Sequence, residues 1–166
     1  LGDVYKRQSL KDYLFKNNIH NPLIIGVHTG GAWIADLLQK NLGYEGKAAS
    51  LNISFYRDDF SKVGVNPRVE PTEMPISIDD KHVILVDDVL YTGRTIRAAL
   101  TAIETFGRPK TIELLVLVDR RFSRELPIQP DYKGIQVDVY EDQKVNVGWN
   151  NKKFGNYIYL ENIENG

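Results

Sequence analysis

The sequence predicts an α/β domain, a doubly wound and mostly parallel sheet carrying a small C-terminal β lobe. Three observations carry that prediction. Leu23–Val27, Val83–Val86 and Thr111–Val118 are short apolar runs suited to strands buried on both faces. Segments of helical period lie between them, and strands joined through helices pair in parallel with right-handed crossovers. Glycine-containing loops, His28–Gly31 and Tyr91–Thr95, follow two of these strands. Open α/β sheets bind ligands at that carboxyl end.

In chain order, Leu10, Tyr13 and Leu14 recur at i, i+3, i+4 and mark a helix over 9–16, broken by Asn17-Asn18 and Asn21-Pro22. The first strand, Leu23–Val27, follows. Trp33–Leu42 is then helical, with Ile34, Leu37, Leu38 and Leu42 on one face. Ala49, Leu51, Ile53 and Phe55 alternate with polar neighbours, as a strand does. Phe60–Pro75 holds prolines at 67, 71 and 75 without a clear period and reads as a long surface loop, a type often used as a lid. The strand Val83–Val86 comes next, then a helix over Ile96–Phe106 with Ile96, Ala99, Leu100 and Ile103 on one face. After the strand Thr111–Val118, residues Arg120–Gly134 read as irregular. Val137–Tyr140, Val145–Trp149 and Tyr157–Leu160 read as C-terminal strands, with a hairpin turn at Asn150-Asn151.

The chain has 166 residues, 42% hydrophobic and 26% charged, which suits one domain with a real core; residues 9–166 are read as that domain. Residues 1–8 lack an initiating methionine and resemble a translated adapter tail, so they are read as a non-native leader. No apolar stretch approaches the roughly 18–20 residues that span a bilayer, so no membrane association is expected. With no cysteine there is no disulfide, thiolate metal site or cysteine nucleophile, and the expected location is the cytoplasm. A net charge of −1 gives no general reason to expect nucleic-acid binding.

The chemistry concentrates in Val83–Thr95. A buried strand ends at two carboxylates, Asp87 and Asp88, and the loop Tyr91–Thr95 leads into a helix. Amides at a helix N-terminus are unpaired and the helix dipole favours an anion there. Gly93 allows a positive φ and close backbone approach, and Thr92 and Thr95 add hydroxyl donors. Adjacent carboxylates repel a bare phosphate but suit its neighbours on a ribose: hydroxyl groups, a magnesium ion, or a positive charge that develops during reaction. The plain alternative is a solvated turn with Thr95 as an N-cap.

This thirteen-residue segment resembles the phosphoribosyl-pyrophosphate (PRPP) motif of type I phosphoribosyltransferases. Its spelling Asp-Asp-Val-Leu-Tyr-Thr-Gly-Arg-Thr resembles that of the PyrR family, uracil phosphoribosyltransferases of which some regulate pyrimidine operons by binding messenger RNA. Tyr56-Arg57-Asp58-Asp59, Gly107-Arg108-Pro109, Val116–Arg120, Arg124-Glu125-Leu126-Pro127-Ile128, Asp131-Tyr132 and Gly134 extend the likeness from about Pro22 to Gly134. The resemblance implies the type I phosphoribosyltransferase fold with a hood over the base. It implies PRPP bound with magnesium by Asp87, Asp88, Val89, Leu90, Tyr91, Thr92, Gly93, Arg94 and Thr95. Pyrophosphate would sit at His28, Thr29, Gly30 and Gly31, and the base at Asp119, Arg120, Arg121 and Phe122.

By the same likeness Asp87, Asp88 and Arg57 are the catalytic residues, with Asp58, Asp59 and Arg68 in or beside a loop that folds over PRPP. Uracil would yield UMP and pyrophosphate, and the chain would form a homodimer or higher homo-oligomer. The sequence departs from the family pattern in two places. Gly30 stands where the RNA-regulating relatives usually carry arginine, and Arg121-Phe122-Ser123 replaces a Gly-His stretch. Tyr91 stands where purine enzymes often hold an acidic base, so no side-chain base is expected from this loop. Two other readings stay open: a PRPP-sensing, RNA-binding regulator without enzymatic activity, for which Arg108, Lys110, Arg120, Arg121 and Arg124 are the basic clusters, and a transferase for another base.

Overall fold

The computed structural model describes residues 10–53, 72–75, 77–140, 142–151 and 155–163. A helix over 10–16, α1, precedes β1 (Leu23–Val27), α2 (Gly30–Leu42) and β2 (Ala49–Leu51). Then come β3 (His82–Leu90), α3 (Arg94–Glu104), β4 (Thr111–Arg121), β5 (Tyr132–Asp138) and an antiparallel pair, β6 (Gln143–Asn151) and β7 (Gly155–Asn162). The first five strands form one sheet in the order β2-β1-β3-β4-β5, every pair parallel.

Period-two alternation divides the sheet between two cores. Val83 and Leu85 join Ile25, Val27, Leu114 and Val116 in one cluster with Ile96, Ala99 and Ile103 of α3. Ile84 and Val86 join Ile24 in the other, with Leu10 and Leu14 of α1 and Ala35 of α2. Each fully buried Ile, Leu or Val contributes about 1.5–3 kcal/mol of transfer free energy, so both helical layers are held by the sheet they cover. Tyr13 meets Tyr132 edge-on at 6.0 Å, and burial is the leading cause that pushes the Tyr132 phenol well above its usual pKa. Among the described residues no helix is long and apolar enough to cross a membrane.

The winding direction reverses between β1 and β3. From β1 the chain passes through α2 to β2 on one side; from β3 it passes through α3 to β4 on the other. The two outgoing loops must therefore diverge, and they leave a crevice at the carboxyl ends of the two middle strands.

Several boundaries differ from the sequence reading. β3 does not stop before the acidic pair: Asp87 pairs with Val116 and Leu90 with Asp119, because ladder hydrogen bonds use backbone groups whatever the side chain. β4 extends through Arg121, and Tyr132–Asp138, partly read as irregular, is a fifth parallel strand of the main sheet rather than part of the C-terminal lobe. α2 starts at Gly30 and α3 at Arg94, each earlier than its apolar stripe, since the first turn of a helix need not face the core. β6 runs through Asn151 and so takes in the Asn150-Asn151 pair expected at the turn. Of the segments read as strand and lid, residues 54–71 lie outside the described residues, and Glu73 bridges antiparallel to Ser50.

Candidate active site

Two helices begin in the crevice, and at neither does the N-cap residue itself supply a capping side-chain bond. The N-cap of α2 is Thr29, whose side chain makes no capping bond; the N-cap of α3 is Gly93, at φ 93°. Neither first turn contains an acidic residue. A capping side chain or an early Asp or Glu would stabilise the helix by about 1 kcal/mol. Without them, two sets of amide donors and two positive dipole ends open toward the same space, an arrangement that favours an anion with two charged ends. The peptide bond between His28 and Thr29 is cis.

Asp87 and Asp88 lie between these helix starts, at the end of β3. Asp87 is buried, 6% exposed, and its Oδ1 accepts from the Asp88 amide at 2.9 Å. Asp88 Oδ1 accepts from the Val89 amide at 2.8 Å. Each carboxylate is thus oriented by a backbone donor. The loop after β1 packs directly onto them. A Cβ at Gly30 would stand 2.3 Å from Asp88 Oδ2, and one at Gly31 would stand 2.3 Å from the Val86 carbonyl oxygen and 3.0 Å from Asp87 Cα. Only glycine at both positions lets the β1 loop come this close to the acidic pair.

The loop between β3 and α3 is braced from its far side. Thr92 Oγ1 accepts from the Arg94 amide at 3.2 Å, and the Thr92 carbonyl accepts from the amides of Glu125 at 3.0 Å and Leu126 at 3.1 Å. Arg94 pairs with Glu125 at 2.6 Å. Gly93 lies against Leu126 and Ile128, which a Cβ there would meet at 3.4 Å. Sequence reasoning gave Arg124 and Glu125 no part in the site. The available signal was a third arginine five residues beyond an aspartate that ends a buried run.

At the end of β4, Asp119 is buried and bonded to Arg124 Nη2 at 2.6 Å, with Gln136 Nε2 at 3.5 Å and Lys133 Nζ at 3.6 Å. The buried Arg120 stacks its guanidinium 3.9 Å from the centre of the Tyr91 ring. These two candidate base residues therefore stand beside the phosphate loop. Arg121 and Phe122 turn elsewhere. The Arg121 guanidinium makes a two-pronged bond to Asp138, at 2.7 and 2.8 Å, which holds the Asp138 carboxyl below its usual pKa. Phe122 is exposed, with a positive φ of 66°. Arg57, with Asp58, Asp59 and Arg68, lies outside the described residues. Beyond His28 a cavity of about 220 Å³ opens between α2 and β2, lined by Asp36, Lys47, Ser50 and Glu73 among others.

Among the described residues no group of three or more His, Cys, Asp or Glu side chains is arranged to hold a metal ion. The paired carboxylates of Asp87 and Asp88 fit a divalent ion that arrives with most of its oxygen ligands already supplied by a phosphate ester.

The model of the phosphoribosyl transferase domain family matches residues 7–150. Bifunctional protein PyrR of Pseudomonas paraeruginosa is 46% identical over 136 residues, 82% of this chain and 79% of that protein. Its namesake in Nitrosococcus oceani is 48% identical over 128 residues, 76% of this chain and 72% of that protein. Among solved structures, a hypoxanthine phosphoribosyl transferase of Trypanosoma cruzi superposes with a TM-score of 0.60 at 21% identity, over 80% of this chain and 70% of that one. A purine phosphoribosyltransferase of Pyrococcus horikoshii gives 0.57 at 23% identity, over 82% and 83%. At such identities the structures share the fold, and the sequence relatives narrow it. A sheet that reverses between β1 and β3, an acidic pair at that reversal and likeness over most of the chain agree: this protein belongs to the phosphoribosyl transferase domain family and, within it, to the PyrR group.

Proposed function

We propose that this protein is a uracil phosphoribosyltransferase, moving ribose 5-phosphate from PRPP to uracil to give UMP and pyrophosphate. The observation that carries the reading is the pair of helix starts that flank Asp87 and Asp88, neither with a capping bond from its N-cap residue or an acidic residue in its first turn. PRPP has a phosphate at one end, a pyrophosphate at the other and a hydroxyl-bearing ribose between. The loop Tyr91–Thr95 takes the 5-phosphate, and His28, Thr29, Gly30 and Gly31 take the pyrophosphate. The ribose hydroxyls face the two carboxylates, and magnesium enters as part of the substrate. As the bond to pyrophosphate breaks, positive charge develops on the sugar, and Asp87 and Asp88 stabilise it electrostatically. Arg57 steadies the departing pyrophosphate. The ring nitrogen of uracil then bonds to the sugar carbon that pyrophosphate has left, and its proton passes to the departing pyrophosphate or to water. Tyr91 stacks on Arg120 and carries no basic group, so the loop supplies no side-chain base.

The choice of uracil rests on the relatives' membership of the PyrR group rather than on the fold, which the purine enzymes share. A panel of uracil, hypoxanthine, guanine and adenine with PRPP and magnesium tests it. Product is expected with uracil, at a kcat/KM at least about a hundredfold above any purine, because a site built around one set of ring donors and acceptors leaves its buried polar groups unpaired with another. Turnover of a purine in preference to uracil would overturn the choice of base.

A second role, control of pyrimidine operons through messenger RNA, is favoured by the word bifunctional in the relatives' name. Its candidate basic residues are divided in this fold. Arg120, Arg121 and Arg124 are engaged with Tyr91, Asp138 and Asp119, whereas Arg108 and Lys110 are exposed at the opposite end of the sheet. In a filter-binding titration against pyrimidine-operon leader RNA, a regulator shows affinity that falls steeply with salt. No retention at low salt would leave the transferase alone. A homo-oligomer is part of the same proposal, and the exposed Ile158, Tyr159 and Leu160 of β7 offer apolar surface for such a contact.

A further inference from the structure

We infer that Arg124 is a positioning residue that ties the base end of the site to the phosphate loop, so that base and PRPP bind cooperatively; the inference rests on the transferase reading above. Its guanidinium reaches two places at once. Nη2 donates to Asp119 Oδ1, at the end of β4, and Nη1 donates to the carbonyl oxygen of Tyr91, the first residue of the phosphate loop. Asp119 and Arg124 have side chains only 2% and 14% exposed, so water screens this pair weakly. Removing Arg124 would strip the buried Asp119 carboxylate of its close partner and leave it the longer contacts to Lys133 at 3.6 Å and Gln136 at 3.5 Å.

The contact to Tyr91 has a specific chemical consequence. A loop that binds phosphate through its amides must keep its carbonyl oxygens, which repel the anion, turned the other way. Arg124 takes the Tyr91 carbonyl, and the next two amides of the same segment, Glu125 and Leu126, take that of Thr92. Three successive residues thus hold two successive carbonyls on the side away from the crevice. A movement at the base end that shifts Asp119 is transmitted to Tyr91 through a single planar group. Lysine could not do this, since a point charge on a flexible stem cannot hold a carboxylate and a carbonyl in one fixed fork.

Titration calorimetry with Mg-PRPP alone and with uracil alone, together with steady-state kinetics in which both substrates are varied so that the dependence of each KM on the other substrate reads the coupling, tests the inference on the full chain. Wild type is expected to bind uracil more tightly once PRPP is present, by some factor of coupling that must be equal in both directions. Arg124→Gln is expected to bind PRPP at least about tenfold more weakly and to bring the coupling factor close to one, while Arg124→Lys recovers PRPP affinity in part and coupling less. Should Arg124→Gln fail to fold, Asp119→Asn removes the charge that anchors the guanidinium, and the same loss of coupling is expected. PRPP affinity and coupling equal to wild type in a folded Arg124→Gln, with only a lowered unfolding midpoint, would reduce Arg124 to a structural residue and overturn the inference. If wild type binds PRPP but not uracil, the choice of base fails instead, and the inference is then decided by PRPP affinity alone.

Discussion

Asp87→Asn with Asp88→Asn is expected to lower kcat for phosphoribosyl transfer by about a thousandfold or more, with the fold intact, since loss of one preorganised group that faces developing charge already costs about a hundredfold to a thousandfold. The substitution is close to isosteric. In each residue Oδ1 accepts from a backbone amide, Asp88 N in one case and Val89 N in the other, and an asparagine carbonyl can take over that bond. What disappears is charge: two negative groups that face the sugar as pyrophosphate leaves. The unfolding midpoint should therefore move little while turnover collapses. The two single variants should not add up to the double, because neighbouring carboxylates act on one sugar. Steady-state kinetics with thermal melts of all three variants measure this. A folded double variant within tenfold of wild-type kcat would remove the carboxylates from the mechanism.

How much of this site the sequence could disclose depended on which atoms make it. The strands Leu23–Val27 and Val83–Val86 were legible because a strand buried on both faces must be apolar throughout. The acidic pair and the Tyr91–Thr95 loop were legible because carboxylates and glycine are rare at the end of such a run without cause. By contrast β5 shows an edge strand's mixture of half-buried and exposed positions, so Tyr132–Gly134 read as irregular and only its last residues as a strand. The brace on the phosphate loop was hidden for a different reason. Arg124 lies 33 residues from Tyr91 and bonds to its backbone carbonyl, so no pattern of side chains records the pairing. The dual helix starts were half-visible: the glycines marked the turns, but that neither N-cap residue would supply a capping side-chain bond emerges only from the geometry. Gly30, in the arginine position of some relatives, first appeared as a missing charge. In the fold it is the surface on which Asp88 rests.

Gly30→Ala and Gly31→Ala, adjacent and chemically identical substitutions, are expected to fail in opposite ways. At Gly31 the added methyl would stand 2.3 Å from the Val86 carbonyl oxygen and 3.0 Å from Asp87 Cα, both main-chain atoms of a central strand. That strand is paired on both sides, to β1 and to β4, and cannot yield locally. The first turn of α2 must move instead, at a cost of about 2–3 kcal/mol, in the upper range for overpacking a tight site. For a chain of this length that corresponds to an unfolding midpoint lower by roughly 4–12 °C. At Gly30 the new methyl meets the side chain of Asp88, with Oδ2 at 2.3 Å, Cγ at 2.7 Å and Cβ at 3.0 Å; the carboxylate can swing aside, and the Cβ contact asks for a shift of only a few tenths of an ångström. Stability should then fall by less than about 1 kcal/mol, as for substitutions that disturb no packed backbone. Catalysis should suffer, because displacing a charge-stabilising group by an ångström can cost up to about a hundredfold in rate. Thermal melts and kcat for the two variants separate these effects. Equal losses of stability at both positions would mean that Asp88 is held as rigidly as the strand itself; unchanged kcat in Gly30→Ala would mean that the carboxylate can perform its part from a second position.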